Sequence, residues 1–524
     1  MQFVAFIQNF FSSSRQEQST FSFGPILIYM VVFLAIGAIH IFLDPFDLGK
    51  SAALRAQDVV MLGLLGPNYG RWKEHTDQVT VVRLNDRSLG MLQWATEMVD
   101  DEAVKSSRKD AQESICSFDS DQVPSWRWPL SMTAHAVILQ AIQQHSPKAI
   151  FVDILFVDQR PGDGVEDMNC LLAQSTLAVE DARAKGSNGT VTEIFFASPK
   201  NMAMRADLFK ANCDTKTSED CDAINARLQR FKKSNVLPSP KKPEEGALRS
   251  YAASVELPDG EGRETRKTVP TAAFELLRRA DMPSPWRPYG GGGPLLGNPT
   301  FDLEIIWGTE PNYINKRWMS CRTFDYSVWR WLWYMLSRPT EAFTQTCPYI
   351  ATIPVEALLS PEPDWDIRAL LENRIVFYGV DLQGASDMIY PSVHERLAGV
   401  YMHAMAMDNL LTYGPDYIRR LESHEDTVSF GALILIALIY FVFACRSQYL
   451  EGLVRNGGVW TTIWMQVPNL ILYCIISWAV LVLYGYLMFL FLRAAPFNWL
   501  SAFTLWLALS ASWFFQLFAR RRRR

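Results

Sequence analysis

No two of the eight cysteines are spaced C-x-x-C, so the chain lacks the usual signature of a zinc ribbon or a thiol-exchange site. It also has no G-x-x-x-x-G-K-S/T phosphate loop, no H-E-x-x-H helix and no G-x-S-x-G nucleophile elbow. The glycines at 290–293 have neither the lysine nor the hydroxyl that a phosphate loop needs, and chain flexibility is their expected role. A basic surplus is missing as well. Lys and Arg number 50 against 55 Asp and Glu, a net charge of -5, which argues against nucleic acid as a partner.

Charge is missing altogether from several long apolar runs. Residues 24–43 hold one histidine and no ionised side chain, and residues 429–445, 459–492 and 497–519 are equally uncharged. A helix crosses about 30 Å of hydrocarbon with roughly 20 apolar residues. The expectation is therefore four transmembrane helices, at 24–43, 428–446, 468–492 (Pro468 marking the entrance or a kink) and 497–519. They leave a cytoplasmic N-terminus at 1–23, a cytoplasmic loop and membrane entry at 447–467, and a cytoplasmic arginine tail at 520–524. The positive-inside rule, applied to that tail, places residues 44–427 outside. A bacterial multi-pass membrane protein with a large extracytoplasmic domain follows. Of the six cysteines in that domain, Cys213 and Cys221 are the best local disulfide candidates, because CDTKTSEDC closes a short polar loop.

The middle segment alternates strands with helices, the pattern of an α/β fold with a mixed or mostly parallel sheet. Strands are expected at 79–84, 149–156, 191–198 and 374–380, with helices at 131–144, 167–180 and 400–411. Short strands are expected at 251–257 and 302–307, and short helices at 269–279, 353–359 and 366–373. The stretch 199–250, polar and with Lys232, Lys233, Lys241 and Lys242 among prolines and serines, reads as an exposed insertion. Aromatic-rich 326–335 reads as a helix packed on a surface. Asn85 and Asp86 fall at a strand's carboxyl end, where open α/β sheets bind ligands, although Asp86 equally suits a helix cap. Asp153 interrupts a strand that is otherwise apolar, so it must be paired or lie at an opening.

Five motifs in order, VVRLNDRSL, RWP, KAIFVDILF, GVDLQGASD and LAGVYMHAMAMDNLL, resemble a CHASE2 extracytoplasmic sensory domain over about residues 54–413. The three apolar runs that follow resemble the membrane arrangement commonly placed after it. The resemblance implies an α/β sensor, often coupled to a cytoplasmic cyclase, diguanylate cyclase or kinase. Asn85 and Asp86 match the family's acidic pair, with Asn in place of the first Asp. Arg127, Trp128 and Pro129 match its pre-helix motif, and Asp153 and Phe156 its strand. Asp387 and Pro391 match its late loop, and Gly399, His403, Ala404, Asp408, Asn409 and Leu410 its final helix.

The candidate ligand-binding or structural polar cluster is thus Asn85, Asp86, Arg127, Asp153, Asp387, His403 and Asn409, in which Arg127 is placed to neutralise Asp153 or Asp86. Catalytic residues, a resident metal and cofactors are not expected, and neither is enzymatic activity. A metal site or a hydrolase built on Asp86, Asp153 and His403 is the minor alternative, and charge-poor spans disfavour a channel. No output domain is expected after residue 519. The expected function is a membrane-anchored sensor that relays an unidentified extracytoplasmic ligand or envelope signal to a separate membrane or cytoplasmic partner. A structural or assembly role in an envelope complex is the alternative. Homo-oligomerisation stays open.

Overall fold

The computed structural model describes residues 31, 34, 65–69, 78–98, 126–156, 164–185, 191–198, 204–205, 207–211, 218–240, 248–258, 266–279, 302–310, 312–319, 321, 347–360, 365–382, 387–391, 394, 396–414, 417, 425–453, 467–469, 471–477, 479–481, 483–484 and 487. The chain forms two compact units. One comprises residues 58–421 with 493–495, the other residues 1–57, 422–492 and 496–524.

The first unit is built on six parallel strands in the order β4-β3-β2-β10-β1-β9. These are β1 (Val79–Asn85), β2 (Ala149–Asp153), β3 (Glu193–Ser198), β4 (Val236–Pro238), β9 (Ala351–Pro354) and β10 (Ile375–Asp381). Near-continuous apolar sequence fits strands covered on both faces. Between β4 and β9 the chain makes a separate excursion. It contains β5 (Ser250–Tyr251), which pairs antiparallel with β8 (Leu303–Glu304), and β6 (Ser254–Pro258), which pairs with β7 (Arg266–Pro270).

One sheet face presents Val82, Leu84, Ile150, Val152, Ile194, Phe196, Val376, Tyr378 and Val380 to the main core. That core is closed by α1 (Asp86–Met98), α2 (Met132–Gln143), α3 (Val165–Ala184), α4 (Ser218–Asn235), α6 (Val355–Leu358) and α7 (Trp365–Leu371). Helix α2 starts where Ser131 Oγ accepts the Ala134 N–H at 3.2 Å, an ordinary serine cap. The opposite face carries α8 (Val400–Tyr413), against which α5 (Ala272–Arg279) packs. Residues 400–411 of α8 are all buried. The close approach of α8 depends on Gly379 of β10, where a Cβ would lie 2.5 Å from that of Val400.

The expected strands at 79–84, 149–156, 191–198 and 374–380 and the helices at 131–144, 167–180 and 400–411 are present, each within a few residues of its expected ends, whereas the expected strand at 251–257 is divided between β5 and β6 of two different sheets and that at 302–307 shortens to β8. The exposed insertion at 199–250 is corrected. Residues 218–238 form α4 and the edge strand β4. Cys221, Leu228 and Phe231 are buried, and Ile224 packs beside them on the core. Their spacing of three, four and three is a helical apolar stripe, masked in the sequence by the charges on the other face. The strand β9 preceding the expected helix at 353–359 was unforeseen, as was the full 13-residue length of α1. The stretch 326–335 lies outside the described residues.

The four transmembrane crossings are also corrected. Among the described residues no helix is long and apolar enough to cross a membrane. The expected span at 428–446 falls inside the 29-residue helix α9 (Glu425–Leu453), which opens on Glu425 and Asp426 and carries Arg446 and Glu451. Within the second unit, α9 buries Ala432, Leu433, Ile436 and Ala437. Its Tyr440 and Phe443 rings pack on Tyr473 at 6.2 and 5.0 Å. The span at 468–492 is described only in part, that at 24–43 only at residues 31 and 34, and that at 497–519 lies outside the described residues. The multi-pass placement, and the membrane anchoring of a sensor between such spans, do not stand. At 428–446 hydropathy counted the uncharged length of the run, not the longer, charge-bearing helix that contains it.

Cys321 and Cys347 form a disulfide with Cα atoms 5.2 Å apart, a pairing that sequence spacing did not single out. Cys170 and Cys221 each take part in a disulfide as well, but not with one another among the described residues. Cys213, the expected partner of Cys221, lies outside the described residues.

In the main core His135 of α2 is 3% exposed, and its Nδ1 lies 2.9 Å from the Tyr378 hydroxyl. Burial pushes the imidazole down to about 3 from 6.5. The folded state therefore binds fewer protons than the unfolded chain between those values. Stability from this site is full above pH 6.5 and is lost toward pH 3, at about 1.4 kcal/mol per pH unit. Urea titrations of the wild type and His135→Leu across pH 7 to 4 are expected to show a shallower loss in the variant.

Candidate functional site

Parallel strands carry every carboxyl terminus to one edge of the sheet. There β10 lies between β1 and β2, with Asn85 beside Asp381 and Gly379 between Arg83 and Asp153. Arg83 donates from Nη1 to Asp381 Oδ2 at 2.8 Å. Above this pair a cavity of about 460 Å³ is lined by Asn85, Asp86, Arg87, Asp381, Leu382, Met388 and Arg396. Two carboxylates, two guanidinium groups and an amide thus converge at the sheet edge, the general position at which open α/β sheets bind small molecules.

The cavity is joined to α8 by a short path. Met388 belongs to β11 (Met388–Ile389), which pairs with β12 (Leu397–Ala398), and Arg396 directly precedes β12. Gly399 follows. Its N–H donates to the Asp387 carbonyl at 2.7 Å, and a Cβ on Gly399 would meet the Asp387 carboxylate at 2.5 Å. Asp387 therefore lies at the N-terminus of α8, where a negative charge is favoured by the helix dipole. In the next turn Tyr401 reaches Thr352 Oγ1 at 3.1 Å. Burial raises its hydroxyl to about 12, with Arg83 opposing the shift and Asp381 adding to it.

The seven expected residues do not form one cluster. Asn85 caps α1, its Oδ1 accepting the Ser88 N–H at 2.7 Å and the Ser88 hydroxyl at 3.0 Å. Asparagine caps as well as aspartate does, which accounts physically for the departure from an acidic pair. Asp86 is exposed at the cavity. Arg127 is exposed and makes no ion pair among the described residues, so it does not neutralise Asp153 or Asp86. His403 meets Asp153 instead, at 3.4 Å from Nε2.

That contact belongs to a buried polar node on the α8 face. His403, 1% exposed, has Nδ1 at 2.8 Å from the Tyr251 hydroxyl and Nε2 at 3.1 Å from Ser239 Oγ. The Ala273 N–H donates to Tyr251 Oη at 3.1 Å. Tyr251 then has its own proton to give to Nδ1, which leaves Nε2 as the proton-bearing nitrogen facing Asp153 and Ser239. Burial raises the Tyr251 hydroxyl well above its ordinary range, and Asp153 adds to the shift. The node ties β2, α8, the residue following β4, β5 and the first turn of α5 together.

Asn409 is structural in its contacts. Its side-chain amide pairs with both backbone groups of Ile306, at 2.9 and 3.0 Å, as a neighbouring strand would. It also donates to the Met405 carbonyl and to Tyr69, whose hydroxyl donates to Asp408 at 2.6 Å. Burial, then Asp408, raises the Tyr69 hydroxyl well above its ordinary range.

Sequence reasoning missed Arg83, Asp381, Arg396, Tyr251 and Ser239. A signal existed for Asp381: FYGVD ends a buried strand on an acid, as VVRLND does for Asn85 and Asp86. Asp86 is not part of the His403–Asp153 node. Among the described residues no group of three His, Cys, Asp or Glu side chains is arranged to hold a metal ion.

Removing the Tyr251 hydroxyl strands the Ala273 N–H and His403 Nδ1 in an apolar interior. Tyr251→Phe is expected to cost about 1–3 kcal/mol in urea unfolding, and the loss is expected to be non-additive with His403→Phe in a double-mutant cycle.

No curated protein and no solved structure matches the chain. A family model for the CHASE2 domain matches residues 31–444, which takes in the whole parallel sheet, the cavity and α8. That match covers most of the sequence, and the chain belongs to the CHASE2 domain family.

Proposed function

We propose that the chain is a CHASE2-type sensor domain that takes up a small polar ligand at the carboxyl ends of β1 and β10 and reports its occupancy through α8 to a separate partner. The observation that carries this reading is the 460 Å³ cavity with charges of both signs, of a size suited to small molecules. Its connection to α8 through Arg396, β12 and Gly399 supports the second half. Differential affinity for two placements of α8 is what such reporting requires.

An extracytoplasmic setting fits the disulfides at Cys170, Cys221 and Cys321–Cys347, since such bonds persist in oxidising compartments. The reading is of a binding domain without turnover. His403 is buried in a satisfied polar node, and Asp86 stands at the cavity, so the groups a hydrolase would need are apart.

The test is a thermal-shift screen of the full-length chain against a broad small-molecule library, repeated on Arg396→Gln and Asp381→Asn. The expected result is one or more compounds that raise Tm in the wild type and lose most of that effect in Arg396→Gln. Compounds that act equally on both variants would place binding elsewhere and sink the proposal.

A further inference from the structure

The outer edge of the main sheet is closed by a side chain. Among the described residues β9 pairs with β1 alone and has no neighbouring strand on its other side. Such an edge presents unpaired N–H and C=O groups to any extended chain. Prolines remove the amide donors at 348 and 354. Between them Asn315 stands where a seventh strand would. Its Nδ2 donates to the Pro348 and Ile350 carbonyls, both at 2.8 Å, and its Oδ1 accepts the Thr352 N–H at 2.8 Å. Asn315 is fully enclosed, and a buried backbone group that loses its partner costs more than an exposed one.

Asn315 opens a single helical turn, Asn315–Trp318, that packs on β9. Ile314 and Trp318 lie against the margin of the main core. Three residues beyond the turn the same segment is fastened again, because Cys321 is bonded to Cys347. Cys347 directly precedes Pro348, the first residue whose carbonyl Asn315 binds. The covalent clamp and the side-chain bonds therefore act on one short stretch of the edge. Cys347 is buried and Cys321 half-buried, so a reagent from solvent approaches from the Cys321 side.

We propose that the segment carrying Asn315 and Cys321 is a redox-sensitive strap over the sheet edge, held shut by the Cys321–Cys347 disulfide and closed on β9 by Asn315. A thiolate of a dithiol reductant attacks Sγ of Cys321 and expels the Cys347 thiolate, which takes up a proton. The reductant's second thiol then attacks the mixed disulfide, frees Cys321 as a thiol and leaves the reductant as its own disulfide. Two electrons pass from reductant to protein. With the bond cut, three hydrogen bonds from one side chain are left to hold the edge, the strap opens, and the Thr352 N–H loses its partner.

The experiment is residue-resolved hydrogen exchange of the full-length chain before and after dithiothreitol, on the wild type, Asn315→Ala and Cys321→Ser/Cys347→Ser. Cys170 and Cys221 are in disulfides as well, so mass spectrometry of the alkylated protein reports which bonds are cut. Reduction of the wild type is expected to speed exchange of the Thr352 amide about 10- to 100-fold, with β2 unchanged. Asn315→Ala is expected to speed the same amide without reductant. The double serine variant is expected to exchange fast at Thr352 from the start and to gain nothing there from dithiothreitol. Should that variant not fold, partial reduction of the wild type separates the Cys321–Cys347 bond from the others.

Unchanged exchange at Thr352 once Cys321 and Cys347 are alkylated would overturn the strap. Acceleration that dithiothreitol still produces in the double serine variant would overturn it too, by tracing the effect to the other disulfides. So would acceleration that spreads through β2, which would make the bond a support of the whole sheet.

Discussion

Strand β10 is the last of the six parallel strands in the chain and lies between the first two, so β1 and β2 touch only through it. The sheet cannot close until residues 375–381 arrive between strands that precede them by more than two hundred positions, a strongly non-local pairing of the kind that slows folding. The same strand fixes the geometry of both faces. Tyr378 points into the main core beside His135, while Phe377 and Gly379 face α8, Phe377 packing on Phe151 at 5.7 Å. Its last residue, Asp381, supplies the cavity floor.

Two kinds of polar group surround the sheet and α8, and burial separates their tasks. His403, Asn409 and Tyr251 are enclosed and nearly saturated with partners, so their contribution is to hold α8 and the excursion between β4 and β9 in one arrangement. Asp86, Arg87 and Arg396 line open space. Arg83 lies between these groups, buried like the first and incompletely satisfied like a binding residue. Val400 packed on Gly379 and Asp387 packed on Gly399 leave the start of α8 little room to shift independently of the residues that line the cavity.

The α/β alternation and the long strands were legible because apolar runs of strand length between helical patterns admit few other readings. Asn85, Asp153 and His403 were legible as notable residues through their resemblance to the CHASE2 domain, but not their grouping, since sequence distance carries no information about which strands neighbour each other. Asp153 and His403 are 250 positions apart and meet only because α8 packs on β1 and β10, the second of which is the neighbour of β2. Asn409 looked like a ligand group and proves to be a backbone mimic for Ile306. The stripe Cys221, Ile224, Leu228 and Phe231 was hidden by surrounding charge, and the uncharged runs near the C-terminus were over-read because length without charge was taken as sufficient for a crossing.

The central claim is that ligand binding occurs at the carboxyl ends of β1 and β10 and is felt by α8. Hydrogen exchange of the full-length chain, with and without a saturating compound identified by Tm shift, tests it most directly. The account predicts slowed exchange at residues 85–88 and 396–403, with α3 on the opposite face unchanged. Protection confined to other elements, or none at 85–88 despite saturation, would contradict it.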